Sequence, residues 1–201
     1  MKIVVYGATG MVGSQVALAA IARGHEVTTV SRSGTDVAGA TALAADITDT
    51  DRVVELAAHA DAVVIAIPTD RTGESAGPIV DAHRRIIAAH PAARLLVVGG
   101  AGSLSVGDGL LADAPGFPDA YKPEARAFTA ILDDYRASSG LDWTLVSPSP
   151  AIAPGERKGY VVGTDSPVGD SVTTSDFADA ILDELESPTY RGRRFTVASK
   201  G

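Results

Sequence analysis

Three glycines spaced three apart lie in Gly7-Ala8-Thr9-Gly10-Met11-Val12-Gly13, between a short apolar run and the first helical stretch. Glycine at position 7 permits a sharp turn out of a strand. At 10 it lets the backbone approach a ligand with no Cβ in the way, and at 13 it lets helix and strand pack closely. A helix opening there aims unpaired amides, around Thr9, Gly10, Met11 and Val12, and its positive dipole end at one point, which a pyrophosphate fits. The spacing is G-x-x-G-x-x-G, not the G-x-G-x-x-G of the common dinucleotide fingerprint. Its position, opening the first strand-helix unit, is therefore the stronger sign.

The end of the second apolar run discriminates further. An NAD site would carry Asp or Glu there to hold the ribose hydroxyls. This chain has Val30-Ser31-Arg32-Ser33, and its next acid is Asp36, beyond Gly34. Arg32 flanked by hydroxyls, with Ser33 beside it, fits a 2′-phosphate that a guanidinium grips bidentately, so NADPH is expected over NADH. A solvated loop arginine is the other reading. Asp46-Ile47 is expected to border the adenine, the carboxylate accepting from its amino group; a helix-capping Asp46 explains that residue equally. Backbone of Ala66, Ile67 and Pro68 is expected to line the cofactor, although Pro68 is also an ordinary strand terminator. Gly99, after the fifth run, is assigned to the same cofactor surface.

The elements that must position these residues repeat one rhythm. Continuous apolar runs at Lys2–Tyr6, Glu26–Val30, Ala62–Ile67, Arg94–Val98 and Asp142–Val146, with a weaker one at Thr41–Ala45, read as strands covered on both faces. Helical stretches alternate with them at Met11–Arg23, Thr50–Ala60, Pro78–Ala89 and Pro123–Ser138. Val12, Val16, Ala19 and Ala20 form one buried stripe; Ala125, Phe128, Leu132 and Tyr135 form another. The pattern predicts a doubly wound α/β fold: a parallel sheet flanked by helices, with its site at the carboxyl ends of the strands. After Val146, Ser147-Pro148-Ser149-Pro150 and Ala153-Pro154-Gly155 are loop chemistry. A short strand at Tyr160–Gly163, a helix capped by Thr174 or Ser175 and running to Glu186, and a strand at Phe195–Val197 follow. Residues 147–201 are too few for their own core and are expected to cap the one domain, 1–201.

Composition narrows the functions. The 201 residues are 45% hydrophobic with mean hydropathy +0.14, enough for one domain with a full core. Seventeen basic and 25 acidic residues give −8 and a pI near 4.9, which disfavours nucleic acid as a partner. No cysteine is present, and His25, His59, His83 and His90 show no ligand spacing, so no metal is expected. No run reaches membrane-spanning length and no signal-peptide core is legible, so a cytoplasmic protein is expected, with no membrane partner. Oligomeric state is not legible.

Together these residues resemble the short-chain dehydrogenase/reductase superfamily, in its small atypical NAD(P)H-binding branch of NmrA-like, biliverdin reductase B/flavin reductase and YwnB-like proteins. The resemblance spans nearly the whole chain. It rests on Val5-Tyr6-Gly7-Ala8-Thr9-Gly10, Val98-Gly99-Gly100-Ala101-Gly102-Ser103-Leu104, Leu141-Asp142-Trp143-Thr144-Leu145-Val146-Ser147-Pro148, Pro154-Gly155-Glu156-Arg157 and Asp176-Phe177-Ala178. It implies a Rossmann fold binding a dinucleotide and reducing a flavin or similar small-molecule acceptor.

One departure decides the chemistry. Short-chain dehydrogenases that interconvert alcohols and ketones use Tyr and Lys four residues apart, the lysine lowering the phenol pKa. Here Tyr121-Lys122-Pro123-Glu124-Ala125 has alanine at that place. Lys122 points about 100° away on a helix, and Pro123 sets Tyr121 at or before the helix start. Tyr121 is then a proton donor or an aromatic cover, and Ser103 a donor to a substrate carbonyl or a turn serine. A flavin, quinone or similar ring spreads the incoming electrons and takes its proton from water, so an NADPH-dependent reductase of such an acceptor needs no Tyr–Lys pair. A non-catalytic NADP(H) sensor of NmrA type is the alternative, and an epimerase or dehydratase a weaker one. Phe117, Tyr121 and Trp143 are the aromatics available for stacking, with Trp143 equally a core residue.

Overall fold

The computed structural model describes residues 1–69 and 76–201. Lys2–Tyr6 (β1), Glu26–Ser31 (β2), Thr41–Ala44 (β3), Ala62–Ile65 (β4) and Arg94–Val98 (β5) are the first strands of the main sheet. A small hairpin, Ser105–Val106 (β6) and Gly109–Leu110 (β7), follows outside it. Trp143–Pro148 (β8) returns to the sheet. Ala151–Ala153 (β9) and Ser171–Thr173 (β11) form a second pair outside it, while Tyr160–Gly163 (β10) and Arg193–Ser199 (β12) belong to it. The order is β10-β12-β8-β5-β4-β1-β2-β3, parallel throughout except for β10, which lies antiparallel along β12.

The helices are Met11–Ala22 (α1), Thr50–Ala57 (α2), Gly77–Ala89 (α3), Lys122–Ala137 (α4) and Thr174–Glu186 (α5). Helices α1 and α5 cover one face, burying Val16, Ala20, Phe177 and Ile181 against Val5, Val64 and Phe195. Helices α2, α3 and α4 cover the other, with Val53, Ile86, Phe128 and Ile131 against Tyr6, Leu95 and Trp143. With both faces covered, β4 has every side chain buried, the physical reason its sequence is a continuous apolar run. Each large side chain buried this way contributes roughly 1.5–3 kcal/mol. Trp143 is core, 5.4 Å from the Tyr135 ring.

From β1 the chain steps to β2 and β3 on one side, then crosses back to β4 on the other. The order in which strands are added therefore reverses between the parallel β1 and β4, and the crevice over their carboxyl ends is where a ligand binds in such sheets.

Four expectations shift. β4 ends at Ile65 rather than Ile67: the Ala66 amide makes a last bond to the Tyr6 carbonyl at 3.0 Å, and Pro68 has no N–H to continue the ladder. Ser147 and Pro148 lie within β8, opposite Thr196 and Val197, instead of opening a loop. Most of segment 147–201 is sheet and helical layer rather than cap, because α5 is needed to cover the apolar face that α1 alone leaves bare. Only the β9–β11 pair and its loops stand outside. The cap of α5 is Thr173, whose hydroxyl accepts from the Asp176 amide at 3.1 Å, rather than Thr174 or Ser175.

Candidate functional site

The turn out of β1 is closed by its own glycines. Gly7 has φ +79°, and a Cβ on it would stand 2.3 Å from the Ala66 carbonyl oxygen and 3.2 Å from Ile67 Cγ1. Ala66, Ile67 and Gly7 therefore meet at the crevice between β1 and β4. Gly10 is the N-cap of α1 and its nearest obstacle to a Cβ is the Gly7 carbonyl oxygen at 3.2 Å. No side chain caps this helix, and no acid lies in its first turn. By contrast α2 is capped by Asp49 with Asp51 behind it, and α5 by Thr173 with Asp176. The first amides of a helix have no intrahelical partner, so at Met11, Val12 and Gly13 the positive end of α1 faces the crevice without a counter-charge among the described residues. Thr9 and Met11 are exposed at its rim.

At the far end of the crevice, Ser31 closes β2 and Arg32 and Ser33 follow, both exposed. Among the described residues Arg32 has no carboxylate within ion-pair distance, in a protein of net charge −8. Ser33 shares its hydroxyl with Thr35 at 2.7 Å. Asp46 stands across from Arg32. Its Oδ1 accepts from the Thr48 amide (2.9 Å) and hydroxyl (2.8 Å), which hold the carboxyl below its usual range, assisted by the Arg32 charge. Asp46 therefore closes a turn and is not the cap of α2; that role falls to Asp49, which accepts from the Arg52 amide at 3.1 Å. Ile47 departs from expectation: its side chain is in the core with Val4 and Val30, leaving only its backbone for a ligand. Gly99 ends β5 against β8, its amide bonded to the Val146 carbonyl at 2.8 Å.

Beyond Gly99, residues 101–121 leave the sheet in short 3-10 turns and the β6–β7 hairpin. With Pro150, which follows β8, they line a half-open cavity of about 320 Å3 at the carboxyl ends of β5 and β8. Phe117 and Tyr121 both line it, and Tyr121 is 56% exposed at the start of α4, where Pro123 led the sequence to put it. The position four residues on is closed to a lysine. Ala125 is buried against Gly102, so closely that a Cβ on Gly102 would lie 2.4 Å from that of Ala125. Lys122 instead pairs with Asp119 at 2.6 Å.

Ser103 does not present its hydroxyl to a substrate. It is 2% exposed and donates to the Gly100 carbonyl at 3.0 Å, while Arg194 Nη1 donates to the Ser103 carbonyl (2.7 Å) and hydroxyl (3.1 Å). Arg194, on β12, also donates through Nε to Asp165 Oδ1 (2.9 Å) and through Nη2 to the Asp165 carbonyl (3.0 Å). Burial lowers the pKa of this guanidinium, and Asp165 opposes the shift. The cavity wall is thus tied to the last strand by an arginine ninety-one residues downstream of Ser103. Sequence spacing carries no signal of that contact, and Arg194 was not among the expected site residues.

The profile of the family described as NAD(P)H-binding matches residues 7–188. The chain is 38% identical to the uncharacterised protein YwnB of Bacillus subtilis over 218 aligned positions, covering 100% of this chain and 99% of that protein. A provisionally named epimerase from Bacteroides thetaiotaomicron has a similar structure, with TM-score 0.87 and 33% identity over 100% of this chain and 97% of that one. So does a provisionally named NADH-flavin reductase from Streptococcus pneumoniae TIGR4, with TM-score 0.85 and 28% identity over 100% of both chains.

Proposed function

The chain belongs to the NAD(P)H-binding family, and on that premise we propose that it is an NADPH-dependent reductase of a conjugated ring acceptor such as a flavin or quinone. The residues suit the coenzyme. Gly7, Thr9, Gly10, Met11 and Val12 would surround the pyrophosphate with main-chain amides, since among the described residues no side chain caps α1 and no acid lies in its first turn. Arg32 and Ser33 would take the 2′-phosphate. Asp46, the backbone of Ile47, and Ala66, Ile67 and Pro68 would border the adenosine half, and Gly99 the nicotinamide end. When bound, the nicotinamide supplies a hydride, two electrons and one proton, and the acceptor takes its second proton from water.

The chain's own part is orientation. Tyr121 and Phe117 give the acceptor an aromatic wall, while Arg194 fixes that wall through Ser103. The observation that carries the reading is the burial of Ala125 against Gly102, which leaves Tyr121 without a lysine partner. Alcohol–ketone and epimerase chemistry relies on a lowered phenol pKa; reduction of a conjugated ring does not. The name of the Streptococcus relative points the same way, although that of the Bacteroides relative does not.

Titration with NADPH and NADH, followed by NADPH oxidation in the presence of riboflavin, FMN or menadione, tests this. NADPH should bind more tightly than NADH and be consumed with at least one ring. Tight NADPH binding with no oxidation by any of them would make the protein a redox sensor instead.

A further inference from the structure

Charge around the acceptor cavity is one-sided. From Gly99 to Tyr121 the chain carries Asp108, Asp113 and Asp119 and no lysine, arginine or histidine. The lining is Leu111, Ala114, Phe117, Pro118 and Pro150 together with Tyr121, the last being its one ionisable side chain. Among the described residues, Lys122 is engaged by Asp119 at 2.6 Å, and Arg136 and Arg194 by Asp165 behind the wall at 2.7 and 2.6 Å. Cationic recognition is placed at the opposite end of the crevice, at Arg32.

Resting on the reductase reading above, we infer that this cavity takes an uncharged planar ring and discriminates against acceptors that carry a phosphate or carboxylate. An anionic arm entering beside Tyr121 loses hydration and meets no counter-charge among the described residues in exchange. It also approaches through the field of Asp108 and Asp113, which no ion pair among the described residues offsets, on a protein of net charge −8. A neutral ring gives up only apolar surface, and a cavity of about 320 Å3 lined by prolines and aromatics suits it. Shared ring chemistry therefore does not make riboflavin and FMN equivalent here.

Those two flavins have the same ring and differ by one phosphate, which makes them the probe. Each is titrated into protein saturated with NADP+, following quenching of flavin fluorescence, so that binding is read without turnover. Riboflavin is expected to bind at least tenfold more tightly than FMN at low ionic strength. The gap should narrow in about 0.5 M salt, where exposed charges are screened. Asp113→Lys, an exposed position, should narrow it too by strengthening FMN binding alone. FMN binding as tightly as riboflavin, or more tightly, overturns the inference and leaves the reductase reading standing. Failure of both flavins to bind also overturns it, while NADPH oxidation by menadione decides the reductase reading separately.

Discussion

The Cα of Gly13 sits so close to the Gly7 carbonyl that a Cβ there would lie 2.2 Å from its oxygen. Gly7 is bounded in turn by Ala66 across the crevice, whereas Gly10 meets nothing nearer than 3.2 Å. The motif therefore divides by role: Gly7 and Gly13 let β1, α1 and β4 cross, and Gly10 leaves the helix amides uncovered.

Gly13→Ala should lower stability by about 1–3 kcal/mol through overpacking. At roughly 2–4 °C per kcal/mol for a chain this size, thermal unfolding resolves that. Gly10→Ala, whose Cβ would press on the Gly7 carbonyl oxygen at 3.2 Å, should lower the melting temperature less than Gly13→Ala and weaken NADPH binding tenfold or more, about 1.4 kcal/mol. If Gly10→Ala binds NADPH like the wild type, the pyrophosphate assignment is lost.

Arg32→Ala should reduce NADPH affinity tenfold or more, about 1.4 kcal/mol, and leave NADH nearly unaffected. Arg32 is exposed, so the fold is not at stake. Isothermal titration with both coenzymes is the measurement, and an equal loss for the two would refute the 2′-phosphate assignment.

Arg194→Met removes the bonds to Ser103 and Asp165 that hold the cavity wall. The acceptor KM is expected to rise several-fold while the Kd for NADPH, measured by titration, stays within twofold, because β1, α1 and β2 are untouched. Parallel weakening of both would show a global effect on the fold instead.

Burial pushes the pKa of His83 down from 6.5 to about 4, on a side chain bonded through Nδ1 to Tyr135 Oη at 3.1 Å. As pH falls, the unfolded chain takes up this proton first. The contribution is complete above about pH 6.5 and is lost as pH falls towards 4. Between pH 7 and pH 5 the loss amounts to about 2 kcal/mol. Denaturant unfolding of wild type and His83→Gln at both pH values checks it: the variant's stability should vary less with pH, whatever its absolute value.

Arg94 and Glu184 form a buried ion pair at the start of β5, away from the crevice. Arg94 also donates to the Glu184 carbonyl at 2.8 Å, and Glu184 accepts from the amides of Thr189 (2.8 Å) and Tyr190 (3.0 Å). Arg94→Met should cost about 3–5 kcal/mol by stranding the carboxylate. The double variant Arg94→Met, Glu184→Met should recover much of that in equilibrium unfolding. A double variant no more stable than the single one would mean that packing, not charge, sets the cost.

What the sequence determined by itself is local. Continuous apolar runs gave the strands because a strand covered on both faces has no polar side to alternate with. The glycine turn was legible because steric demand at Gly7 and Gly13 is met by residues within six positions of them or just beyond the neighbouring strand. The missing lysine four residues after Tyr121 could be read for the same reason. What needed the tertiary structure was set by partners far apart along the chain. Ser103 looks free in sequence and is occupied by Arg194, ninety-one positions later. Ile47 looks like a ligand neighbour, but the packing of α2 turns it into the core. Segment 147–201 reads as a cap on the one domain until β12 is found beside β8 in the sheet and α5 beside α1 in the layer over it. Spacing constrains residues that share a helix or a turn, whereas contacts between elements depend on how the whole sheet closes, which local sequence does not encode.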